Sequence, residues 1–265
     1  MMSMVNNNYK WLNIIAEYLK KSPDRKLYNN SFIITAVEKR NMGINFTVEE
    51  HIKGMVYALL SNQREWKQIE DNLDKIDEIF CNYKPEELKK KPPETLKREL
   101  REINCSNRSI SAQMRDLNYN IDVLENVDAV EALINAHKDK NEKTYLANRF
   151  AHTHKKDDFK LKNIGVALAY EYLRNVGVDA AKPDTHIRRF LKRFYEEEKD
   201  KTAMMSPSEA SSRILEIKKE TGFAFVKIDN IIWSFCAERY GDVCRATPDC
   251  INCPIKKMCC YGKNK

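Results

Sequence analysis

The sequence predicts an all-α protein built as two domains. Only 7 Gly and 8 Pro occur in 265 residues, too few turn formers for a strand-and-turn architecture. Apolar residues recur at helical spacing along most of the chain, and no stretch alternates strictly over a strand length. Apolar residues make up 42%, enough for a full core at this length and too many for a disordered chain.

Each element follows from its own residues. A helix over 9–21 carries Trp11, Ile14, Ile15, Tyr18 and Leu19 on one face, and Ser22-Pro23-Asp24 ends it. A short helix is expected over 31–40. The next, over 47–62, has Thr47 as N-cap with Glu50 three residues on, then a stripe of Ile52, Met55, Val56, Leu59 and Leu60. Trp66, Ile69, Leu73, Ile76, Ile79 and Phe80 predict one helix over 64–83. Pro92 and Pro93 open a helix to about 103, and further helices are expected over 109–124 and 128–136. The stretch 145–160 reads as a short helix and a polar connector. Helices over 165–175 and 185–198 flank a 177–183 loop. Ser206 caps a helix with Pro207 in its first turn, and 223–239 is the last long helix. The runs Lys89-Lys90-Lys91 and Glu196-Glu197-Glu198 read as solvated helix faces.

The net charge of +7 fits a polyanionic partner and carries little weight alone. No run of about 18 apolar residues exists to span a membrane, and the polar, Asn-rich start 1–10 has no signal core. A cytoplasmic monomer (nucleoid-associated in a bacterium or archaeon) is the expectation, so the eight cysteines read as thiols or metal ligands. Five of them fall in the last 22 residues, as Cys244-x5-Cys250-x2-Cys253-x5-Cys259 followed by Cys260. Four thiolates in so short a loop can converge on one metal centre. Four-cysteine zinc sites usually show two close pairs; one close pair between two wider gaps favours a cubane iron–sulfur cluster, with zinc as the alternative.

The tail resembles that of endonuclease III and its relatives, Cys-x6-Cys-x2-Cys-x5-Cys, with the first gap one residue short. The resemblance implies a [4Fe-4S] cluster held by Cys244, Cys250, Cys253 and Cys259, with Cys260 spare. In that family the cluster is structural and presents basic residues to DNA; here Arg245, Lys256 and Lys257 lie in or beside the loop.

Leu161-Lys-Asn-Ile-Gly165-Val-Ala-Leu-Ala-Tyr-Glu-Tyr-Leu173 resembles the family's helix-hairpin-helix, Leu-Pro-Gly-hydrophobic-Gly-x-x-x-Ala. Lys162 stands at the proline and Asn163 at the first glycine. Asn is the next-best residue for a left-handed backbone, so the turn can survive. Such a turn lets backbone N–H groups and a helix N-terminus approach a phosphate. Nineteen residues after Gly165, Lys182-Pro-Asp184-Thr-His186-Ile-Arg188 resembles the family's Val-Asp-Thr-His-Ile-x-Arg and places Asp184 at the catalytic aspartate. An Asp after Pro is also a common helix N-cap. Leu59-Leu-Ser-Asn-Gln63 resembles Leu-Leu-Ser-x-Gln, whose Gln fills the gap left by the extruded nucleotide, and Arg64 follows it. Ile103-Asn-Cys-Ser-Asn-Arg108 resembles a turn that lies near the DNA.

Together these imply a two-domain helix-hairpin-helix DNA glycosylase: a central helical domain over 27–177 and a cluster domain from 1–26 and 178–265. Double-stranded DNA with an altered base would lie in the cleft between them, over Asp184. Contacts are expected from Gln63, Arg64, Lys162, Asn163, Gly165, Lys256 and Lys257. Bifunctional members carry a lysine two residues after the second hairpin glycine, where this chain has Ala167. A monofunctional enzyme with water as nucleophile is therefore expected. A lyase using another amine, and a non-catalytic DNA-binding protein of the same fold, are the alternatives. The chain lacks the extra C-terminal domain of the mispaired-adenine enzymes, so that specificity is not expected.

Overall fold

The computed structural model describes residues 9–21, 31–138, 143–151, 158–196, 200 and 202–264, and every regular element among them is a helix. In chain order these are α1 (Lys10–Lys21), α2 (Ser31–Asn41), α3 (Val48–Leu60), α4 (Trp66–Glu70), α5 (Leu73–Ile79), α6 (Pro85–Leu88), α7 (Pro93–Glu102), α8 (Ile110–Arg115), α9 (Leu117–Glu125), α10 (Val127–His137), α11 (Lys143–Phe150), α12 (Val166–Asn175), α13 (Thr185–Tyr195), α14 (Pro207–Thr221), α15 (Phe225–Cys236) and α16 (Cys260–Lys263). Thr47 with Glu50, and Ser206 with Glu209, each form a complete capping box, which satisfies orphan amides at the starts of α3 and α14. Among the described residues no helix is long and apolar enough to cross a membrane. The Ser22-Pro23-Asp24 stop, residues 1–8, 152–157 of the expected connector and 197–198 of the expected 185–198 helix lie outside the described residues.

Two expected helices are broken. The 64–83 stretch splits into α4 and α5 at Asn72, whose side-chain amide donates to the Gln68 carbonyl at 3.0 Å and so competes with the backbone ladder. It then ends in a turn with Cys81, Asn82 and Tyr83 all left-handed, at φ 52, 49 and 64°. Tyr83 is buried there, stacked on Phe80 and donating to Asp77 at 2.6 Å, and these contacts offset the strain. The 109–124 stretch breaks at Asp116 into α8 and α9.

The chain divides into two compact units, Phe32–Val178 and Met1–Ser31 with Asp179–Lys265, against sequence-derived joints at 27 and 177. In the first unit α3 packs on α12 and α9. A Cβ on Gly54 would lie 3.0 Å from Val176 Cγ1 and 3.2 Å from Asn175 Cβ, so this helix pair requires glycine for its close approach. Beside it lies a buried polar network. Glu131 accepts from both terminal nitrogens of Arg40 at 2.7 and 3.0 Å and from His51 Nε2 at 2.8 Å. His51 Nδ1 meets the Tyr172 hydroxyl at 2.7 Å, and Arg40 Nε donates to the Val176 carbonyl at 2.6 Å. Burial pushes His51 down, so the neutral ring donates through Nε2 and accepts through Nδ1. Burial alone would push Glu131 up; its hydrogen bonds from His51 and Arg40 outweigh that and hold it down at about 2.

In the second unit α1 packs on α15, with α13 and α14 completing the core. Trp11 is fully buried, with its ring 4.7 Å from Phe194 and 5.3 Å from Phe190. The apolar face read over 9–21 is buried through Trp11, Ile15 and Leu19, whereas Ile14 is exposed.

Candidate functional site

Three motif segments meet within the Phe32–Val178 unit, and the 104–120 stretch joins them. At the end of α3 the Leu59 carbonyl accepts from Asn107 Nδ2 at 2.9 Å and Gln113 Nε2 at 3.1 Å. These side chains join the Asn62 amide, which donates to the same carbonyl at 3.3 Å. Gln63 follows at φ 50° and is exposed. Arg64 is half-buried; its Nη2 donates to Asn104 Oδ1 at 2.6 Å and to the Asn104 carbonyl. The 59–64 and 103–108 turns are thereby one assembly.

The hairpin is held from α8 and α9. The Asn120 side chain, fully buried, donates to the Lys162 carbonyl at 3.0 Å and accepts from the Lys162 amide at 2.7 Å. Asn163 sits at φ 61°, the left-handed region that its position requires. Its side-chain amide donates to the Ala112 carbonyl at 3.1 Å and to Asp116 Oδ2 at 2.9 Å. Ala112 in α8, Asp116 at the break and Asn120 in α9 each hold the 162–163 turn. The Asp116 carboxyl is held below its ordinary value by Arg115 and then by Asn163. Gly165 is exposed and opens α12 with no side-chain cap, so that helix N-terminus presents its amides beside a shallow pocket lined by Arg115, Asp116, Lys162, Asn163, Ile164 and Gly165. The Lys162 ammonium lies 4.1 Å from the centre of the Tyr119 ring.

Asp184 belongs to the other unit and caps α13: its Oδ1 accepts from the His186 and Ile187 amides at 2.9 and 3.1 Å. Oδ2 takes no hydrogen bond among the described residues. Two aspartates fix the strap leading to it. Asp179 accepts from the Val226 amide at 3.0 Å and from Lys218 at 2.6 Å, and buried Asp229 accepts from the Lys182 amide at 2.9 Å. Burial pushes His186 down, against the pull of the Asp184 charge.

In the same unit Cys244, Cys250, Cys253 and Cys259 line one pocket with Phe190, Phe235, Val243 and Ile255; Cys260 does not line it. Burial pushes Cys250 up, Cys253 to about 12 and Cys259 to about 11. Cys244 is drawn down to about 7, first by a hydrogen bond from Cys236 and then by the Arg193 guanidinium. Arg193 is buried, its Nη1 3.5 Å from the Cys244 sulfur and 2.7 Å from the Arg245 carbonyl. Among the described residues no three His, Cys, Asp or Glu side chains are grouped closely enough to hold a metal ion. The donor set of four soft thiols in an apolar shell, with a guanidinium beside one of them, fits an anionic thiolate-bound cluster. Lys256 and Lys257 sit on a 3-10 turn at the rim, Lys257 exposed. Arg245 pairs with Asp242 at 3.1 Å across exposed surface.

The hairpin, Gln63 and Arg64 thus share one unit, and Asp184, Lys256, Lys257 and the cysteines share the other. Sequence reasoning missed Asn120, Asp116, Arg193 and Cys236. The period-four spacing of 112, 116 and 120 was a findable signal; Arg193 and Cys236 reach the pocket only through tertiary packing. No family model, no characterised protein and no solved structure matches the chain at a significant level.

Proposed function

We propose that the protein is a monofunctional DNA glycosylase that hydrolyses the N-glycosidic bond of a damaged, modified or mispaired base in duplex DNA. The observation that carries the reading is the hairpin: Asn163 left-handed at φ 61° where the family has glycine, followed by the uncapped N-terminus of α12 at exposed Gly165. Those amides suit a backbone phosphate, which positions the duplex without reading its sequence. Gln63, exposed at its turn, would fill the stack vacated by the extruded nucleotide, and Arg64 would hold that turn in place through Asn104.

Asp184 supplies the chemistry. One oxygen caps α13 and fixes the carboxylate; the other faces the reaction, stabilising positive charge on the sugar as the base departs and orienting the attacking water. Ala167 offers no amine for a Schiff base. Cys244, Cys250, Cys253 and Cys259 would hold a [4Fe-4S] cluster, whose contribution when bound is structural. Zinc in the as-purified protein, with no iron, would refute that assignment.

The test is a panel of duplexes, each with one altered or mismatched base, scored for breaks before and after hot alkali. Asn is also a good N-cap, so Asp184→Asn removes the charge and keeps the helix start. Breaks only after alkali, and none with Asp184→Asn, are expected. Breaks without alkali would mean a bifunctional enzyme with another amine. Tight duplex binding with equal behaviour of Asp184→Asn would mean a DNA-binding protein.

A further inference from the structure

The strap that carries Asp184 to the start of α13 is stitched to α15 twice, in opposite senses. Asp179 of the strap accepts from the Val226 amide of the helix at 3.0 Å. Three residues on in both segments, Asp229 of the helix accepts from the Lys182 amide of the strap at 2.9 Å. The first stitch suits the helix: the Val226 amide lies in the first turn of α15, where amides have no intrahelical acceptor, and Asp179 also meets Lys218 at 2.6 Å. The second suits the strap. Asp229 lies in the second turn of α15 and is buried. A carboxylate taken out of water is costly to keep, and a backbone amide donating to it makes a charge-assisted bond, stronger than a neutral one.

Lys182 is also one end of a tight turn. The Asp184 amide donates to the Lys182 carbonyl at 2.8 Å, which closes a three-residue turn around Pro183. Pro183 has no N–H and a fixed φ, so the turn moves as one body. Beyond it, Asp184 Oδ1 takes the His186 and Ile187 amides at 2.9 and 3.1 Å. A continuous line of hydrogen bonds within one unit thus runs from the Asp229 carboxylate through Lys182 to Asp184.

We propose that Asp229 is a positioning residue for Asp184: its buried carboxylate holds the Lys182 amide and so sets the direction in which Asp184 presents Oδ2. Asp229 acts only through the strap. A carboxylate that orients a water against a sugar has little tolerance in position, and a misplacement of about 1 Å can cost about a hundredfold in rate. Cap bonds to Oδ1 fix the carboxylate relative to α13; the Asp229 bond fixes the turn on the other side of Asp184.

This rests on reading Asp184 as the catalytic carboxylate of a glycosylase. The test uses a duplex that wild type cleaves and measures two quantities, the single-turnover rate of base release at saturating protein and the duplex Kd. Wild type, Asp229→Ala and Asp229→Asn are compared, each rate taken per folded molecule. Asp229→Ala is expected to be about ten- to a hundredfold slower with its duplex Kd unchanged. Asp229→Asn keeps the shape and an oxygen that can accept from the Lys182 amide, and recovers most of the rate. A merely structural role would lower the folded fraction and leave the rate per folded molecule alone. Asp229→Ala with a rate within about twofold of wild type, or with a loss confined to duplex affinity, would overturn the proposal and leave the glycosylase reading intact. Wild type that releases no base from any duplex would overturn that reading, and the proposal with it. If Asp229→Ala fails to fold, Asp229→Ser takes its place, since its hydroxyl fills part of the space and falls short of the Lys182 amide. The same loss of rate supports the proposal, and an unchanged rate overturns it.

Discussion

The two units each bury a cluster of ionisable side chains, and they do so in opposite ways. Around Glu131, every charge has its counterpart in the protein: Arg40 is bidentate, His51 is neutral, and Tyr172 closes the chain. Burial there ends in a carboxylate held at about 2, strongly favoured in its charged form. Around Cys253 and Cys259, burial ends in thiols pushed to about 12 and 11, disfavoured in the thiolate form a metal would need. Arg193 meets two of the four sulfurs: its guanidinium donates to Cys244 and its carbonyl accepts from Cys259 at 3.3 Å. The difference separates a polar core whose charges are balanced by neighbours from a set of thiols that burial keeps in the neutral form.

The largest expected effect breaks the cysteine side of this contrast. Cys253→Ser should abolish stoichiometric iron and the visible absorbance of the purified protein, whereas Cys260→Ser, outside the pocket, should retain both; elemental analysis of the two decides it. On the other side, Glu131→Ala leaves Arg40 and His51 buried without their anion and should cost about 3–5 kcal/mol in urea unfolding of the protein. A loss below about 1 kcal/mol would mean that water replaces the carboxylate.

Acid sharpens the same contrast. His51 has a depressed folded pKa, so its contribution is present above its ordinary value of 6.5 and is lost as pH falls below it. Glu131 is also depressed, so its contribution is full above 4.5 and disappears as pH falls towards about 2. That shift is worth about 3 kcal/mol. The urea midpoint should therefore fall in two stages between pH 7 and 2, and Glu131→Gln should lack the lower stage. The smallest effect concerns the hairpin. Asn163→Gly keeps the left-handed turn and loses two hydrogen bonds, for a cost of about 1 kcal/mol, while Asn163→Ala adds backbone strain of about 1 kcal/mol more. Thermal melts of both variants, with duplex affinity alongside, check the order.

What was legible in the sequence was local. The apolar stripe of α3, the Thr47 capping box, the Ser206 N-cap and the Pro-Asp start of α13 all depend on residues within one or two turns, and the structure has them. The cysteines could be read as a group because their loop is short, and the pocket distinguishes Cys259 from Cys260. The breaks at Asn72 and Asp116 were not legible, because the apolar period runs through both; the first depends on a side chain competing with the backbone and the second coincides with a contact to the hairpin. The Arg40–Glu131 pair joins residues 91 apart, and Arg193 reaches Cys244 from 51 residues away, so neither leaves a mark in any window of the sequence. Arg64 was read as a DNA contact, and its guanidinium is engaged with Asn104, a role that only the folded turn reveals.

The clamp of Ala112, Asp116 and Asn120 on Lys162 and Asn163 has a consequence for descent. A hairpin that depends on its own two glycines carries its shape in five consecutive letters. Here the shape is shared with another helix pair about fifty positions earlier. Substitution within 161–165 can then be tolerated while the clamp keeps the turn. Change at Asp116 or Asn120 should be inherited together with change at 162–163, so the heritable unit is a discontinuous pair of segments.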